Sequence, residues 1–356
     1  MIDHIFTRAR SSWTKNEGPL NHIVISSRVR LARNLEKIPM PPFQNEAQSH
    51  TVLERTKKAV EAVKLTGNTG LFFLRLSELP ALEKQILLEK HLISPEHLED
   101  KPNKGLAISA DETISIMVNE EDHLRLQVLL PGLQLDKAWE QADKIDNLLE
   151  EYLEFAFCEK KGYLTACPTN VGTGLRASVM VHIPALVMTR QATKIFHTLG
   201  QLGLAVRGLY GEGTESKGNI FQISNQITLG EKETEIIQNL SSVTRQIVDK
   251  EEEMRKILLK EIPLQLTDRV GRAYGILSNA AILSSEEALN LLSDLRLGVD
   301  LGLVKLNLKQ ENLTELMVLA QPGFLQKYAG KSMDALERDA TRAKLFVEKL
   351  KQGGYS

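Results

Sequence analysis

The sequence predicts an α+β fold, in which an antiparallel sheet with helices on one side is followed by an all-α C-terminal domain. Apolar and polar residues alternate in IVISSRVRLA at 23–32 and in TISIMVN at 113–119, as they do in half-buried strands. After Gly230 this alternation fades, and apolar residues recur at helical spacing. A chain of 356 residues is long enough for two domains. We therefore expect one domain over residues 1–231 and a helical domain over residues 232–356.

Further strands and one helix are predicted within the first domain. HLRLQVLL at 123–130 follows TISIMVN closely, which predicts an antiparallel pair joined through the turn NEED. From Lys137 to about Lys160 the apolar residues have helical spacing, so a helix is expected there. GLRASVMVHIP at 174–184 and NIFQISNQITLG at 219–230 return to strand character.

The second domain reads as a succession of amphipathic helices. Lys232 to Glu261 is charged and helically periodic, and Pro263 ends or bends this helix. Ser284 and Glu287 form a capping box before EALNLLSDLRLG. NLTELMVLA and SMDALERDATRAKLFVEKL predict two more helices.

Composition and charge exclude several classes of protein. A formal net charge of -2 argues against general electrostatic binding of nucleic acid or an anionic membrane. The N-terminus has no apolar segment typical of a secretory signal, and no run of eighteen apolar residues is present. Two cysteines, Cys158 and Cys167, are too few for a disulfide framework or a zinc site. We expect a cytoplasmic protein without a metal site of its own.

Arginines recur on the predicted strands. Because side chains alternate across a strand, Arg28 and Arg30 share one face, and Arg125 and Arg176 alternate with apolar residues in the same way. Arg207 precedes Gly208 at the end of LAVRG. One arginine on a solvated sheet face is ordinary. Five of them, each beside a glycine, a serine or an acidic turn, favour a phosphate site, because guanidinium groups bind phosphate oxygens bidentately and keep their charge.

The stretch CPTNVGTGLRAS at 167–178 combines glycines with an arginine. Gly172 and Gly174 precede Arg176, which suggests a backbone that approaches an anion closely. No lysine follows in the manner of a P-loop, so any phosphate would have to be neutralised by arginine instead.

Four stretches, in order, resemble the catalytic motifs of the phosphagen (guanidino) kinases: SSRVRLARN, NEEDHLR, CPTNVGTGLRAS and RGLYGEGTESKGNIFQISN. The resemblance implies a guanidino-kinase catalytic domain that transfers the γ-phosphoryl group of ATP to a guanidinium nitrogen. It implies that Mg²⁺ is held by the nucleotide phosphates. It also implies that Glu121 and Glu212 hold the acceptor guanidinium, with Cys167 beside it. The residues that it implies for the nucleotide are Ser27, Arg28, Arg30, Arg125, Arg176 and Arg207.

Elementary chemistry agrees with the two glutamates. A guanidinium is a poor nucleophile because its nitrogen lone pairs are delocalised. Two carboxylates that hold its other nitrogens could orient one N–H toward phosphorus and accept the proton as attack proceeds. Taken alone, either glutamate would be an ordinary exposed turn residue, and Cys167 a small buried hydrophobe.

The layout of the chain departs from the small-molecule guanidino kinases. Only about twenty-five residues precede SSRVR, where those enzymes have a helical domain that closes over the free guanidine. The layout resembles the bacterial protein-arginine kinases, whose substrates are arginine side chains in proteins. This resemblance implies a stress-response role in protein quality control, an activator protein McsA, the Clp unfoldase and protease (ClpC), the repressor CtsR, allosteric control and a homodimer. A small-guanidine kinase or a non-catalytic adaptor on the same fold are the alternatives.

The C-terminal stretch ERDATRA at 337–343 is also informative. Taken alone, its charges are typical of an ion-pair ladder on a helix surface. Arg338, Asp339 and Arg342 match, however, the R-D-x-x-R-A pattern of a phosphoarginine-binding pocket in the same kinases. Where metazoan members have a histidine against adenine, Met180 stands in register and His182 follows two residues on, so neither is assigned.

Overall fold

The structure is a computed structural model that describes residues 3–63, 70–99, 101–209, 216–304 and 310–352. Its strands are β1 Val24–Arg33, β2 Leu71–Arg75, β3 Gly105–Ser109, β4 Ile114–Val118, β5 Leu124–Pro131, β6 Phe157–Cys158, β7 Gly162–Tyr163, β8 Leu175–His182, β9 Leu204–Gly208 and β10 Ile220–Asn225. Its α-helices are α1 Asp3–Thr7, α2 Glu46–Ala62, α3 Ala81–Glu89, α4 Leu135–Glu150, α5 Pro184–Met188, α6 Ala192–Gln201, α7 Glu233–Glu261, α8 Pro263–Leu277, α9 Ser285–Asp300, α10 Gln310–Leu319, α11 Pro322–Ala329 and α12 Ala335–Gln352.

Eight of the described strands form one sheet in the order β2-β3-β4-β5-β1-β8-β10-β9. All of its neighbouring strands are antiparallel, which confirms the predicted sheet. The predicted pair on either side of the NEED turn is β4 and β5, with Ile116 opposite Leu126. The arginine-bearing strand β1 lies at the centre, between β5 and β8.

One face of the sheet packs on helices in a large apolar core. Val29, Leu126 and Val179 point into this core, where Ile145 of α4 and Leu240 of α7 meet them. Helix α7 therefore packs on the sheet although it follows residue 231. The division of the chain at residues 231 and 232 stays a prediction.

The opposite face is covered at one end of β1 by a second apolar cluster. Leu129 and Met180 of the sheet belong to this cluster, together with Leu87 of α3 and Leu292 of α9. The helices of the C-terminal region thus contact the same face of the sheet that carries the arginines. They do so at the end of β1 that precedes Arg28. None of the described helices is long and apolar enough to cross a membrane.

Helix α4 is shorter than the sequence predicts. It ends at Glu150, and the chain then forms the hairpin β6–β7, so Cys158 lies half-buried in a strand rather than on a helix face. Phe155 forms a bridge to Leu35, and Phe157 packs edge-on against Tyr163 with ring centroids 5.2 Å apart. Pairing with distant residues thus overrides the helical spacing of the aromatic side chains.

Candidate active site

The register of the central strands sets which arginines share a face. Residues directly opposite each other in an antiparallel pair point to the same side of the sheet. Arg30 of β1 lies opposite Arg176 of β8, and Ala32 of β1 lies opposite Arg125 of β5. Because Arg28, Arg30 and Ala32 alternate with apolar residues, all of these arginines face one side.

Strand β10 extends this face to the edge of the sheet. Gln222 of β10 lies opposite Met180 of β8 on one side and opposite Arg207 of β9 on the other. Since Met180 shares the face of Arg176, Arg207 does as well. The fold therefore brings the five predicted arginines from four different strands onto one surface.

A cavity of about 240 Å³ opens on this surface. It brings four of the arginines together with both predicted acceptor-side residues that the structure describes, Glu121 and Cys167. Arg28 lies further along β1, where its Nη2 donates to Gln222 Oε1 at 2.6 Å and its Nε to Ser178 Oγ at 3.3 Å. The residues that line the cavity are Arg30, Ala32, Glu121, Arg125, Cys167, Thr169, Asn170, Gly174, Arg176 and Arg207.

The arginines raise each other's electrostatic energy. Burial, followed by the charges of Arg125 and Arg176, lowers the pKa of Arg28 to about 9. The pKa of Arg30 is lowered well below its usual value, first by burial and then by the charge of Arg28. Guanidinium groups remain protonated in proteins, so these shifts express the cost of burying the charges and, second, of holding like charges together. An anion in the cavity would remove that cost.

The cluster also has unused hydrogen-bond donors. The Nε groups of Arg30 and Arg176 are buried and have no hydrogen-bond partner. Among the described residues, the ion pair of this cluster joins Arg125 Nη1 to Glu120 Oε1 at 2.5 Å. Buried polar groups are normally hydrogen-bonded, so donors left open among cations fit a ligand with several anionic oxygens. The triphosphate of ATP is such a ligand.

Glu121 and Cys167 supply the acceptor side of the cavity. Burial, and then the charge of Asp122, raises the pKa of Glu121, while a hydrogen bond with the Cys167 thiol opposes this increase. Asp122 Oδ1 accepts hydrogen bonds from Asn34 Nδ2 at 2.6 Å and from the backbone N–H of Ala166 at 2.7 Å. These bonds tie the NEED turn to the segment that carries Cys167, and so place the carboxylate beside the thiol.

Glu212 and Ser27 are the two other residues predicted for this site. Glu212 falls in residues 210–215, which lie outside the described part of the chain. The Ser27 side chain points to the opposite face of β1, because it alternates with Arg28. It is fully buried, donates to Gly132 O at 2.8 Å and accepts from the backbone N–H of Gln134 at 2.9 Å. Its hydroxyl therefore connects β1 to the start of α4.

The glycines of CPTNVGTGLRAS let this loop pack closely on its own chain, and Gly174 also lines the cavity, where close approach to an anion stays a prediction. Gly172 has φ +114°, and a Cβ there would lie 2.5 Å from Thr228 O. Gly174 has φ +65°, and a Cβ there would lie 2.7 Å from Ala32 O. Both glycines are thus required because the loop packs tightly on its own chain in a left-handed conformation. That packing places Cys167 and Arg176 at the cavity.

Sequence reasoning missed several polar residues around the arginines. The Glu120 side chain is only 1% exposed, and its Oε1 accepts from both Arg125 and Ser94 at 2.5 Å. Gln222 holds Arg28, and Asn170 lines the cavity. Gln222 alternates with Ser224 in NIFQISN, and this pattern could have placed it on the arginine face. Asn170 lies inside a motif that stands out for its glycines, and nothing in the pattern marks it.

The two side chains considered for adenine have separate surroundings. His182 is buried, its Nε2 lies 2.8 Å from Ser293 Oγ of α9, and burial lowers its pKa well below the usual value. Met180 lies beside Arg28 and Gln222 in a small cavity on the arginine face. His182 is thus engaged with the C-terminal region.

The R-D-x-x-R-A stretch lies on α12. Arg342 is buried: its Nε donates to Ala320 O and its Nη1 to Leu283 O, both at 2.7 Å. The same Nη1 donates to Asp339 Oδ1 at 2.5 Å. Arg338 is only half-buried, and its Nη1 donates to Met333 O at 2.9 Å.

Over the described ranges, no group of three or more His, Cys, Asp or Glu side chains could hold a metal ion.

Two family models match the chain. Residues 51–254 match the ATP:guanido phosphotransferase, C-terminal catalytic domain, and residues 263–354 match the protein-arginine kinase McsB C-terminal domain. A protein-arginine kinase of Symbiobacterium thermophilum is 54% identical over 349 residues, which are 98% of this chain and 99% of that protein. The protein-arginine kinase of Bacillus subtilis is 47% identical over 349 residues, which are 98% of this chain and 96% of that protein.

Solved structures agree on the fold. The duplicated taurocyamine kinase from Schistosoma mansoni, with bound transition state analog components, matches with a TM-score of 0.60 and 26% identity. This match covers 66% of the chain and 34% of the taurocyamine kinase, about a third of that longer protein. Lombricine kinase matches with a TM-score of 0.59 and 27% identity over 65% of this chain and 67% of its own.

Proposed function

The chain belongs to the protein-arginine kinases of the guanidino phosphotransferase family, and from this premise we propose that it transfers the γ-phosphoryl group of ATP to arginine side chains in proteins. The observation that carries the proposal is the arginine face. Five cations, two of them with buried and unpartnered Nε groups, share this face, and four of the five line a cavity that also contains a carboxylate. Such a site suits an anionic donor and a cationic acceptor together.

The arginines would hold the triphosphate. Arg30, Arg125, Arg176 and Arg207 line the cavity, and Arg28 continues the row along β1. Preorganised cations stabilise the charge that develops on a transferring phosphoryl group, and they do so without rearrangement at the moment of reaction. Mg²⁺, bound through the nucleotide phosphates, would add to this neutralisation.

Glu121 would hold the acceptor. Its carboxylate can accept two N–H groups of the target guanidinium and leave the third nitrogen directed at the γ-phosphorus. As this nitrogen attacks, an N–P bond forms and the bond to the β–γ bridging oxygen breaks. ADP leaves with that electron pair, and the nitrogen's proton passes to a carboxylate. Cys167 would stabilise the cation next to Glu121, and family resemblance adds Glu212 as the second carboxylate.

Further partners follow from similarity alone. We propose that the protein works in the cytoplasm, where its phosphoarginine marks proteins for ClpC and its protease and inactivates CtsR. We also propose that it pairs with McsA, and that two copies form a homodimer. Arg338, Asp339 and Arg342 would bind phosphoarginine, with a carboxylate for its guanidinium and arginine for its phosphate.

The experiment that tests the function compares two acceptors. The protein is incubated with Mg-ATP and either an arginine-rich protein or free arginine, and products are mapped by mass spectrometry without exposure to acid, since P–N bonds are acid-labile. We expect phosphate on protein arginines and little on the free amino acid, and none with Glu212→Ala. Label on free arginine alone would establish a small-guanidine kinase instead. An absence of transfer with and without activator would favour an adaptor.

A further inference from the structure

A second groove opens beside the catalytic cavity. Its volume of about 540 Å³ lies within the roughly 300–1,000 Å³ that is typical of ligand sites. Glu121 and Arg125 line both the groove and the catalytic cavity, so the groove begins where the acceptor would be held. Residues 41–49 around the start of α2, residues 96–99 and 101–104, and the turn 119–121 form its walls. Apart from Glu121, the reaction itself does not use these walls.

The side-chain charges of the groove that have neither an ion pair nor a hydrogen bond among the described residues are negative. Glu46 and Glu96 are exposed, and neither carboxylate has an ion pair among the described residues. The two lysines of the groove already have partners. Lys101 forms an ion pair with the Glu99 carboxylate at 2.7 Å. Lys104 Nζ donates hydrogen bonds to the backbone carbonyls of Glu96 at 2.7 Å and Glu99 at 3.0 Å. The groove therefore favours a cationic occupant.

Two buried acceptors in the wall lack donors. Asn119 is only 6% exposed, and its Nδ2 donates to Ser49 O and Asn103 O, while its Oδ1 has no partner. Glu120 Oε1 accepts from Ser94 and Arg125, while its Oε2 has none. A buried acceptor without a donor is unfavourable, so both oxygens fit an occupant that brings N–H groups. This observation is independent of the exposed carboxylates.

The rim of the groove is apolar. Pro41 and Pro42 line it, and the neighbouring Phe43 is 82% exposed. An exposed aromatic side chain beside a polar groove is typical of a protein-binding surface, where large apolar side chains give contact area. Acidic, N–H-accepting and apolar features together suit a polypeptide more than a small metabolite.

We propose that this groove binds the polypeptide on one side of the target arginine and favours acceptors with lysine or arginine near the phosphorylated residue. The inference rests on the proposed function, because the groove is part of a substrate site only if Glu121 holds the target guanidinium. It adds to that function a preference for basic sequence, set by Glu46 and Glu96.

The test uses three peptides that carry one arginine and differ only in the neighbours of that arginine: lysine, serine or glutamate. Wild-type protein should phosphorylate the lysine peptide with the highest kcat/KM. The double variant Glu46→Gln/Glu96→Gln should lower kcat/KM for the lysine peptide roughly threefold to tenfold, through KM, and leave the serine peptide nearly unchanged. The effect should shrink at high salt.

Two controls make the result specific. Glu140→Gln/Glu151→Gln removes the same charge from exposed positions of α4 and its end, away from the groove, and should change neither peptide. Glu46→Lys/Glu96→Lys should shift the preference toward the glutamate peptide. Equal use of all three peptides by wild type would overturn the inference and leave the proposed function intact. Wild-type protein that phosphorylates no peptide and no protein would overturn both.

Discussion

Arg30 and Arg176 lie directly opposite each other across β1 and β8, and the buried Nε of each has no hydrogen-bond partner. Two like charges would not be held in register in this way for stability, because each raises the energy of the other. Their arrangement is explained by an anion that neutralises both. The kinase proposal depends on this pair more than on any single motif.

Removing either member of the pair should weaken ATP binding. For Arg30→Ala or Arg176→Ala we expect KM for Mg-ATP to rise roughly tenfold to a hundredfold, because a charge-assisted hydrogen bond to phosphate is lost. Lysine at either position should restore only part of the affinity, since it cannot bind in a fork. Steady-state kinetics at varied ATP measure both effects. Arg272→Ala, on the exposed surface of α8, is the matched control. An equal change of KM for Mg-ATP in all variants would contradict a phosphate-binding role for the pair.

The pH dependence should report Glu121. Its raised pKa means that the carboxylate loses its charge at a higher pH than an ordinary glutamate, so kcat/KM should fall on acidification before other exposed carboxylates titrate. With Glu121→Gln the remaining activity should lose this acidic limb. Measuring kcat/KM against pH for both proteins tests this prediction. If the acidic limb of the profile is unchanged in the variant, the titrating group is not Glu121.

Gly174 should not tolerate a side chain. Its φ is +65°, and an added methyl carbon would lie 2.7 Å from Ala32 O, so Gly174→Ala should lower the free energy of unfolding by more than about 1 kcal/mol and also reduce kcat. Gly271→Ala is the control, because it lies within helix α8 with no atom within 4 Å of an added methyl group. That change should raise the free energy of unfolding by about 0.5–1 kcal/mol. Denaturant unfolding of both variants measures the difference.

The two arginines of α12 should differ in how much each stabilises the fold. Arg338→Ala should abolish phosphoarginine binding to the full chain and change the free energy of unfolding by less than about 1 kcal/mol. Arg342→Ala should lower it by about 2–3 kcal/mol, because it leaves the carbonyls of Leu283 and Ala320 without a buried donor. Calorimetric titration with phosphoarginine measures the binding, and thermal unfolding of the variants measures the change in stability. Unchanged binding in Arg338→Ala would rule out the pocket.

Much of the site could be predicted from sequence, because a strand has a period of two. Alternation alone places Arg28 and Arg30 on one face, and the structure agrees. The same rule puts the hydroxyl of Ser27 on the other face, although its motif suggested a nucleotide contact. The face of Arg207 cannot be predicted from alternation alone. It follows from the position of Arg207 opposite Gln222, and no local sequence pattern predicts this pairing.

The remaining features depend on contacts between distant segments. The aromatic residues after Glu150 keep helical spacing, yet the bridge between Phe155 and Leu35 requires extended backbone. The groove beside the cavity combines three stretches that are unrelated in sequence. The sequence does not distinguish Glu120 from Glu121, because the residues of one turn carry no pattern that shows which side chain faces the cavity.

The most direct test of the kinase proposal measures Mg-ATP affinity and phosphoarginine formation together in Glu121→Gln. The arginine face should still bind Mg-ATP within about threefold of wild type, while transfer to a protein acceptor should fall about a hundredfold or more. That outcome would separate the donor site from the acceptor carboxylate. Wild-type transfer in the variant, or loss of Mg-ATP binding, would contradict the assignment of Glu121 to the acceptor.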